Sequence, residues 1–217
     1  MHYATTKMKT NGGMMMNISK IDELIKSNKT NVNTPDYWNY VYSKEGKRSS
    51  IVREDRRRWE VILNRIQDGD VVLDHGCGPG DFLEYAQKGK PNSKFYGLDH
   101  SKVAADMGTE RGVSIALTFE DLAKYETEFD VITSQSVIEH KNNPVAYIEE
   151  LKNHLKKDGL LIIGLPIADH DWHEHQMIWS MDDVQDLFNR FNCDVEVVSL
   201  PRRVNKGFQI LAFVRFK

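Results

Sequence analysis

The chain has 217 residues and a formal net charge of −3, with 40% hydrophobic and 28% charged residues. This length and composition fit a single globular domain with a large apolar core. The slightly acidic balance argues against a dedicated nucleic-acid binder, because such domains are usually basic. Two cysteines, Cys77 and Cys193, are too few for a disulfide framework. Since no apolar run approaches the roughly 18 residues of a membrane helix, we expect a cytoplasmic protein that does not contact membranes.

The first 48 residues predict two segments ahead of the main domain. Residues 1–17 lack the uninterrupted apolar core of a secretory signal, so we expect a flexible leader there. Residues 18–48 begin with a short helical pattern and continue with an aromatic group, Tyr37, Trp38, Tyr40 and Tyr42. We expect this segment to pack as a cap on the main domain, which spans residues 49–217.

A regular alternation of helices and short apolar strands follows. After a helix over 49–66, strands are predicted at 71–73, 94–98, 113–117, 129–133 and 160–165, and helices at 81–88, from Ser101, at 121–125 and at 144–157. This alternation predicts a doubly wound, Rossmann-like α/β fold with helices on both faces of a mostly parallel sheet. A helix over about 181–192 then precedes strands at 194–200 and 208–216. Their loop is too short for a parallel crossover, so the last of the seven strands should run antiparallel.

A glycine-rich loop joins the first of these strands to the next helix, with the sequence Asp74-His75-Gly76-Cys77-Gly78-Pro79-Gly80. Glycines there permit positive φ angles and let backbone N–H groups approach a ligand. A dinucleotide-binding loop would place its third glycine at position 81, where this chain has Asp81. Acids at Asp74 and Asp81 would repel a pyrophosphate. The loop therefore favours a ligand whose centre is cationic, such as a sulfonium with an α-amino group.

A further acid, Asp99, ends the next strand in Tyr96-Gly97-Leu98-Asp99-His100. In nucleotide-binding βαβ units, a carboxylate at this point accepts hydrogen bonds from vicinal ribose hydroxyls. A glycine loop alone is weak evidence, but the loop followed by Asp99 at this interval, in this strand pattern, is specific. Together they predict a nucleoside-type cofactor at the carboxyl ends of the strands.

These segments resemble the class I S-adenosylmethionine-dependent methyltransferases. The resemblance covers roughly residues 50–217 and rests on five segments: Leu73–Gly80, Leu98-Asp99, Phe129–Ile132, Ser136–His140 and Leu155–Leu161. The antiparallel closing strand is also typical of that family. The resemblance implies that the cofactor is S-adenosyl-L-methionine and the product S-adenosyl-L-homocysteine. Its motifs specify the cofactor well and the acceptor poorly.

The resemblance also implies a role for each part of the site. The loop residues would line the methionine and ribose part of the cofactor: Asp74, His75, Gly76, Cys77, Gly78 and Gly80. Asp99 would take the ribose hydroxyls, and His100 would lie beside the adenine. Family members often have an acid after strand three that meets the adenine amino group; the candidates here are Glu120 and Asp121, with Phe119 as an alternative that stacks on the base. Ser134 and Gln135 should pass close to the sulfonium.

Three histidines are candidates for the acceptor side of the site: His140, His173 and His175. Methyl transfer needs alignment of donor and acceptor, and an acceptor oxygen also needs a base. The alternatives are a structural role for His140 and a lid-anchoring role for the histidine-rich segment 169–175. A divalent metal on His173 and His175 with an aspartate, Asp169 or Asp171, is a further alternative. Because the chain has no helical His-Glu-x-x-His pattern and no flanking cysteine there, we predict no metal.

The leading functional hypothesis is methyl transfer to an oxygen or nitrogen atom of a small molecule or cell-surface precursor, by a monomer or homodimer. A non-catalytic scaffold that binds S-adenosylmethionine is one alternative. A methyltransferase acting on protein or nucleic acid is another, with the basic residues from Arg53 to Arg58 guiding an anionic partner. Mixed-sign runs of this kind usually form solvated faces. The segment 134–137 also lacks the Asn-Pro-Pro-Tyr-type pocket of amino-directed DNA methyltransferases.

Overall fold

A mixed eight-stranded sheet organises the computed structural model, which describes residues 5–8, 19–27, 29–45, 52–168, 173–201 and 208–217. The strands, in chain order, are β1 (Thr5–Met8), β2 (Val71–His75), β3 (Lys94–Leu98), β4 (Ile115–Ala116), β5 (Phe129–Gln135), β6 (Leu155–Ile167), β7 (Cys193–Pro201) and β8 (Phe208–Phe216). Their order across the sheet is β1-β7-β8-β6-β5-β2-β3-β4. The chain therefore builds outward from β2 to β4 and then returns to place β5 on the other side of β2.

The helices are α1 (Lys20–Lys26), α2 (Pro35–Glu45), α3 (Val52–Leu63), α4 (Asp81–Gly89), α5 (Lys102–Thr109), α6 (Phe119–Leu122), α7 (Pro144–Asn153) and α8 (Met181–Asn189), with a 3-10 turn at Ile138–His140. Several begin at side chains suited to capping. Ser19 and Ser180 each form a capping box with an aspartate three residues later. Asn143 caps α7, whose first residue is Pro144. Among the described residues, no helix is long and apolar enough to cross a membrane.

The sheet is covered by helices on both faces, as predicted. Successive residues of the central strands point to opposite sides, so that Leu73 packs in one apolar cluster and Val72 in the other. The first cluster includes apolar residues of α1, α7 and α8, and the second includes those of α3 and α4. Strands β2 to β6 run parallel, and β8 is antiparallel to both β6 and β7. The predicted antiparallel last strand is therefore confirmed.

Three details of the sequence analysis need correction. Thr5–Met8 pairs antiparallel with β7, so four residues of the expected leader form an eighth strand where we expected seven; residues 1–4 and 9–17 lie outside the described part. The strand expected at 113–117 is limited to Ile115–Ala116, because the Val113 N–H donates to the Gly108 carbonyl at the end of α5. The helix expected to reach residue 157 ends at Asn153, because Leu155 already pairs with Phe129.

The topology fixes where a ligand can bind. In open α/β sheets, ligands bind outside the carboxyl ends of the strands at the point where the strand order reverses. Here that point lies between β2 and its parallel neighbour β5. The loops that follow these two strands carry the glycine-rich segment and the residues from Ser136 to His140.

Candidate active site

The glycine loop turns sharply over the end of β3. The N–H groups of Gly76 and Cys77 both donate to the Leu98 carbonyl, at 2.7 Å and 3.2 Å. Gly76, Gly78 and Gly80 have φ angles of 72°, 53° and 79°, in the left-handed region that favours glycine. A Cβ at Gly78 would also lie 2.9 Å from the Tyr42 hydroxyl. The glycines are therefore required by backbone conformation and by the close approach of neighbouring side chains.

Asp99 ties this loop to the start of α5. Its side chain accepts hydrogen bonds from the Gly78 N–H at 2.9 Å and from the Ser101 N–H at 2.8 Å. The residue is buried, at 6% exposure, and desolvation raises the pKa of its carboxyl above the ordinary value of 3.8. The acid predicted to meet a ribose is thus held in place by the loop predicted to meet the rest of the cofactor.

A cavity of about 400 Å³ opens at this end of the sheet. It is lined by Trp38, Tyr42, His75, Gly76, Leu98, Asp99, His100, Leu117, Thr118, Phe119, Glu120, Ser136, Val137, His140, Lys141 and Glu150. Seven of these were candidate site residues from the sequence: His75, Gly76, Asp99, His100, Phe119, Glu120 and His140. The cavity therefore joins the predicted cofactor residues to one of the three candidate histidines.

The remaining cofactor candidates are not among the residues that line the cavity: Asp74, Cys77, Gly78, Gly80, Asp121, Ser134 and Gln135. Asp74 is 3% exposed, and its Oδ1 has no hydrogen-bond partner within the described part of the chain. Burial raises the pKa of Asp74 from 3.8 to about 8, against the opposing effects of the Arg58 charge and a hydrogen bond from Gln135. Burial also raises the pKa of the Cys77 thiol, which argues against a nucleophilic role for Cys77.

A buried hydrogen-bonded chain supports the unusual His75. The Tyr147 hydroxyl lies 2.9 Å from His75 Nδ1 and 2.6 Å from the Ser134 Oγ. Burial lowers the pKa of His75 to about 3 and raises that of Tyr147 above its ordinary value, so both are neutral near pH 7. Ser134 is thus linked to the cavity-lining His75 through the Tyr147 hydroxyl.

The segment after β4 places the two acidic candidates, Glu120 and Asp121, in different environments. Thr118 caps α6, accepting from the Asp121 N–H at 3.1 Å, and the Asp121 carboxylate pairs with Lys124 at 2.8 Å. Asp121 is therefore engaged at the surface, while Glu120 lines the cavity. Phe119 also lines the cavity and stacks on His154, with ring centroids 3.9 Å apart.

Helix α2 covers the cavity from the N-terminal side. Trp38 and Tyr42 line it, and the Trp38 ring packs edge-on against His140 at 5.4 Å. The Asn39 Oδ1 accepts from the Ser101 Oγ at 2.8 Å and from the Val103 N–H at 3.1 Å. These bonds anchor α2 to the first turn of α5.

The three candidate histidines occupy different environments. His140 lines the cavity, and His175 is buried beside it, with ring centroids 5.1 Å apart. The His173 side chain is 69% exposed and contacts the Tyr37 hydroxyl at 3.0 Å and Glu174 at 2.9 Å. Asp169 and Asp171 lie outside the described residues.

Three polar residues near the cavity were missed by sequence reasoning: Arg58, Lys141 and Glu150. Lys141 and Glu150 line the cavity, and burial lowers the pKa of Lys141. Arg58 was expected on a solvated face, but it is buried and donates to the Ser136 Oγ at 3.3 Å. The signal for Arg58 was available, since it lies four residues before the buried Ile62 and therefore on the same face of α3.

Comparisons with known proteins agree with this geometry. A family profile described as "Methyltransferase domain" matches residues 51–194. A protein of Eschscholzia californica named (S)-tetrahydroprotoberberine N-methyltransferase is 31% identical over 124 residues, covering 53% of this chain and 35% of the relative. The tRNA U34 carboxymethyltransferase of Aeromonas salmonicida is 29% identical over 123 residues, covering 52% and 37%. The chain thus matches only about a third of the length of these curated relatives.

The fold is shared with solved methyltransferases. The structure of magnesium protoporphyrin IX methyltransferase from Synechocystis PCC 6803 with bound SAM superposes with a TM-score of 0.59. It is 14% identical, and the match covers 83% of this chain and 92% of that chain. The chain therefore belongs to the methyltransferase-domain family, and it shares its fold with a methyltransferase solved with bound SAM.

Proposed function

We propose that the protein transfers a methyl group from S-adenosylmethionine to an oxygen or nitrogen atom of a small molecule or cell-surface precursor. The observation that carries this proposal is the shared cavity, which brings the glycine loop and Asp99 together with His140 and the aromatic residues of α2. A cofactor held at one end of this cavity would face an acceptor held at the other.

The residues present fit the cofactor. The carboxylate of Asp99 would accept hydrogen bonds from its ribose hydroxyls. Its adenine would lie among Phe119, Glu120 and His100. The buried Oδ1 of Asp74, with no partner in the described part of the chain, is an acceptor available to a cationic amino group. When bound, S-adenosylmethionine supplies a methyl group already activated by a sulfonium, so the protein's main task is alignment.

His140 is our candidate for contact with the acceptor. Burial lowers the pKa of His140 to about 4, so its imidazole is neutral near pH 7 and can accept a hydrogen bond from the hydroxyl of an acceptor, which polarises the O–H bond. His175 supports His140 through ring contact, and the exposed His173 lies outside the cavity lining. Trp38 and Tyr42 would exclude water from this end of the cavity.

A small acceptor suits the cavity, because its volume of about 400 Å³ has to hold the cofactor as well. The named N-methyltransferase relative is consistent with this choice. The tRNA carboxymethyltransferase relative supports a second candidate, an RNA acceptor, against which the net charge of −3 argues. We place the protein in the cytoplasm as a monomer or homodimer, and light scattering after size exclusion would establish the oligomeric state.

The test is a methyl-transfer screen against pools of small hydroxyl- and amine-bearing compounds and against total tRNA, with release of S-adenosylhomocysteine as the readout. We expect release with one class of small molecule and none with the Asp99→Ala variant. Release only with tRNA would favour the RNA acceptor. Cofactor binding by calorimetry without release in any pool would favour the non-catalytic scaffold.

A further inference from the structure

Beside the cavity, three side chains form a cluster with the composition of a metal site. Glu139, His140 and His175 each offer one ligand atom, and these atoms all lie within 4.8 Å of one another. In a tetrahedral zinc site with bonds of about 2.1 Å, ligand atoms are about 3.4 Å apart. The three groups are therefore close to a binding arrangement.

The backbone around the cluster is already fixed by hydrogen bonds. The Gln176 N–H donates to the Glu139 carbonyl at 2.8 Å, which joins the 3-10 turn to the segment that carries His175. The Asn31 side chain donates to the His140 carbonyl at 3.1 Å, and the Lys29 ammonium donates to the His175 carbonyl at 3.0 Å. Three separate parts of the chain thus hold the ligands together, as a site prepared for an ion requires.

The hydrogen bonding of His140 also suits ligation. Its Nδ1 lies 3.2 Å from the Glu174 carbonyl oxygen, an acceptor to which a ring N–H donates. That bond leaves Nε2 with its lone pair free for a metal. Metal-bound histidines typically donate their other ring N–H to a backbone carbonyl in this way, which fixes the tautomer and the ring orientation.

We propose that Glu139, His140 and His175 bind one divalent transition-metal ion, with Zn²⁺ as the best match to two imidazoles and one carboxylate. Because three protein ligands leave one tetrahedral position open, and because His140 lines the cavity, the open position faces the acceptor end of that cavity. This ligand set differs from the one considered in the sequence analysis, which used His173 and an aspartate and led us to predict no metal.

The ion would also narrow the acceptor class, a step that rests on the proposed function. A metal-bound hydroxyl would lose its proton to solvent water more readily than a free one. Its oxygen would then form a bond to the methyl carbon as the carbon–sulfur bond breaks and S-adenosylhomocysteine leaves. His140 is then a ligand, and the metal takes over its role in activating the acceptor. The favoured acceptors are those with an oxygen donor for the ion, such as phenols and hydroxy acids.

The binding test uses the full chain, stripped of metal with a chelator and titrated with Zn²⁺ by calorimetry and with Co²⁺ by visible absorption. We expect one ion per chain, a Co²⁺ spectrum typical of tetrahedral nitrogen and oxygen ligation, and affinity weakened about 100-fold or more in Glu139→Gln and His175→Ala. The matched control, His173→Ala, lies in the same segment outside the cluster and should bind like the wild type.

Two results would overturn the site. One is no binding at micromolar Zn²⁺ by the folded wild type, and the other is equal Zn²⁺ affinity in the wild type and the three variants. The wild-type Co²⁺ spectrum and the control remain informative even if a ligand variant fails to fold. Failure of the proposed function looks different, because metal binding would persist while no pool releases S-adenosylhomocysteine. Methyl transfer that continues at full rate in the stripped enzyme would instead reject the metal's role in activation.

Discussion

The carboxylate of Asp99 accepts a 2.9 Å hydrogen bond from the backbone N–H of Gly78, across 21 residues of sequence. The two sequence features that predicted the cofactor are thus in direct contact with each other. One carboxylate oxygen holds the glycine loop, and the other holds the Ser101 N–H at the start of α5. Asp99 is therefore fixed in position, and a ligand that uses it has little ordering cost to overcome.

Replacing Asp99 by alanine should weaken binding of S-adenosylhomocysteine by about 10- to 100-fold, because hydrogen bonds to a charged group contribute roughly 1.5–3 kcal/mol. Titration calorimetry measures the change. Asp106→Ala is the matched control, since Asp106 pairs with Lys102 at the surface and does not line the cavity. Unchanged affinity in Asp99→Ala would mean that the ribose assignment is wrong.

Gly78→Ala should destabilise the protein through two separable effects. The φ of 53° strains any residue with a Cβ, at a cost of about 1–2 kcal/mol, and the new methyl would meet the Tyr42 hydroxyl at 2.9 Å. Adding Tyr42→Phe should recover only the second part. Gly112→Ala isolates the first effect, because Gly112 has a φ of 77° and a Cβ added there would have no neighbouring atom within 4 Å among the described residues.

The coupling energy between positions 78 and 42 is measured by chemical denaturation of the wild type, Gly78→Ala, Tyr42→Phe and the double variant. We expect Tyr42→Phe to cost less in the Gly78→Ala background than in the wild type. Strictly additive changes would show that the Tyr42 hydroxyl does not approach the loop, and α2 would then cover the cavity less closely than described.

The cofactor half of the site was accessible from sequence because its signals are local. The glycine loop and Asp99 are short patterns at strand ends, and parallel pairing of β2 with β3 brings those ends together. A residue such as Glu120 was harder to assign, because one step of register decides whether a side chain faces the cavity or the solvent. Capping of α6 by Thr118 settles that register.

The acceptor half depends on contacts between distant segments, which no local pattern encodes. Trp38, for example, contacts His140 from a helix about 100 residues earlier in the chain. Thr5–Met8 was missed for a similar reason, since four residues carry no periodicity strong enough to predict an edge strand. Tertiary packing decides these positions.

Asp74→Asn should change how stability depends on pH. Burial raises the pKa of Asp74 from 3.8 in the unfolded chain to about 8, so the folded protein holds the proton more tightly. The stability contributed by this group is complete below about pH 4 and is lost as pH rises through about 8. The pKa of buried His75 is lowered from 6.5 to about 3, so its contribution to stability changes with pH only below about pH 6.5.

Thermal denaturation without cofactor, from about pH 6.5 to about pH 9, isolates the Asp74 effect. The melting temperature of the wild type should fall with rising pH more steeply than that of Asp74→Asn, and the variant should be the more stable protein at the alkaline end. Parallel curves would contradict a raised pKa at this carboxyl.

Glu120 and Asp121 are adjacent acids, and replacing each in turn tests which of them contacts the cofactor. Glu120→Ala should weaken binding of S-adenosylhomocysteine about 5- to 10-fold, as expected for loss of one net hydrogen bond of about 1 kcal/mol, with little change in stability because Glu120 lines the cavity. Asp121→Ala should leave affinity unchanged, because Asp121 is engaged with Thr118 and Lys124 at the surface.

Calorimetry with S-adenosylhomocysteine and thermal denaturation of each variant distinguish the two residues. Asp121→Ala removes side-chain contacts in the first turn of α6 and should lower the melting temperature only slightly, because these contacts lie at the surface. If Asp121→Ala weakened binding and Glu120→Ala did not, the chain would contact adenine in the other register. Phe119→Leu completes the comparison, because equal losses for Phe119 and Glu120 would show that stacking and hydrogen bonding both hold the base.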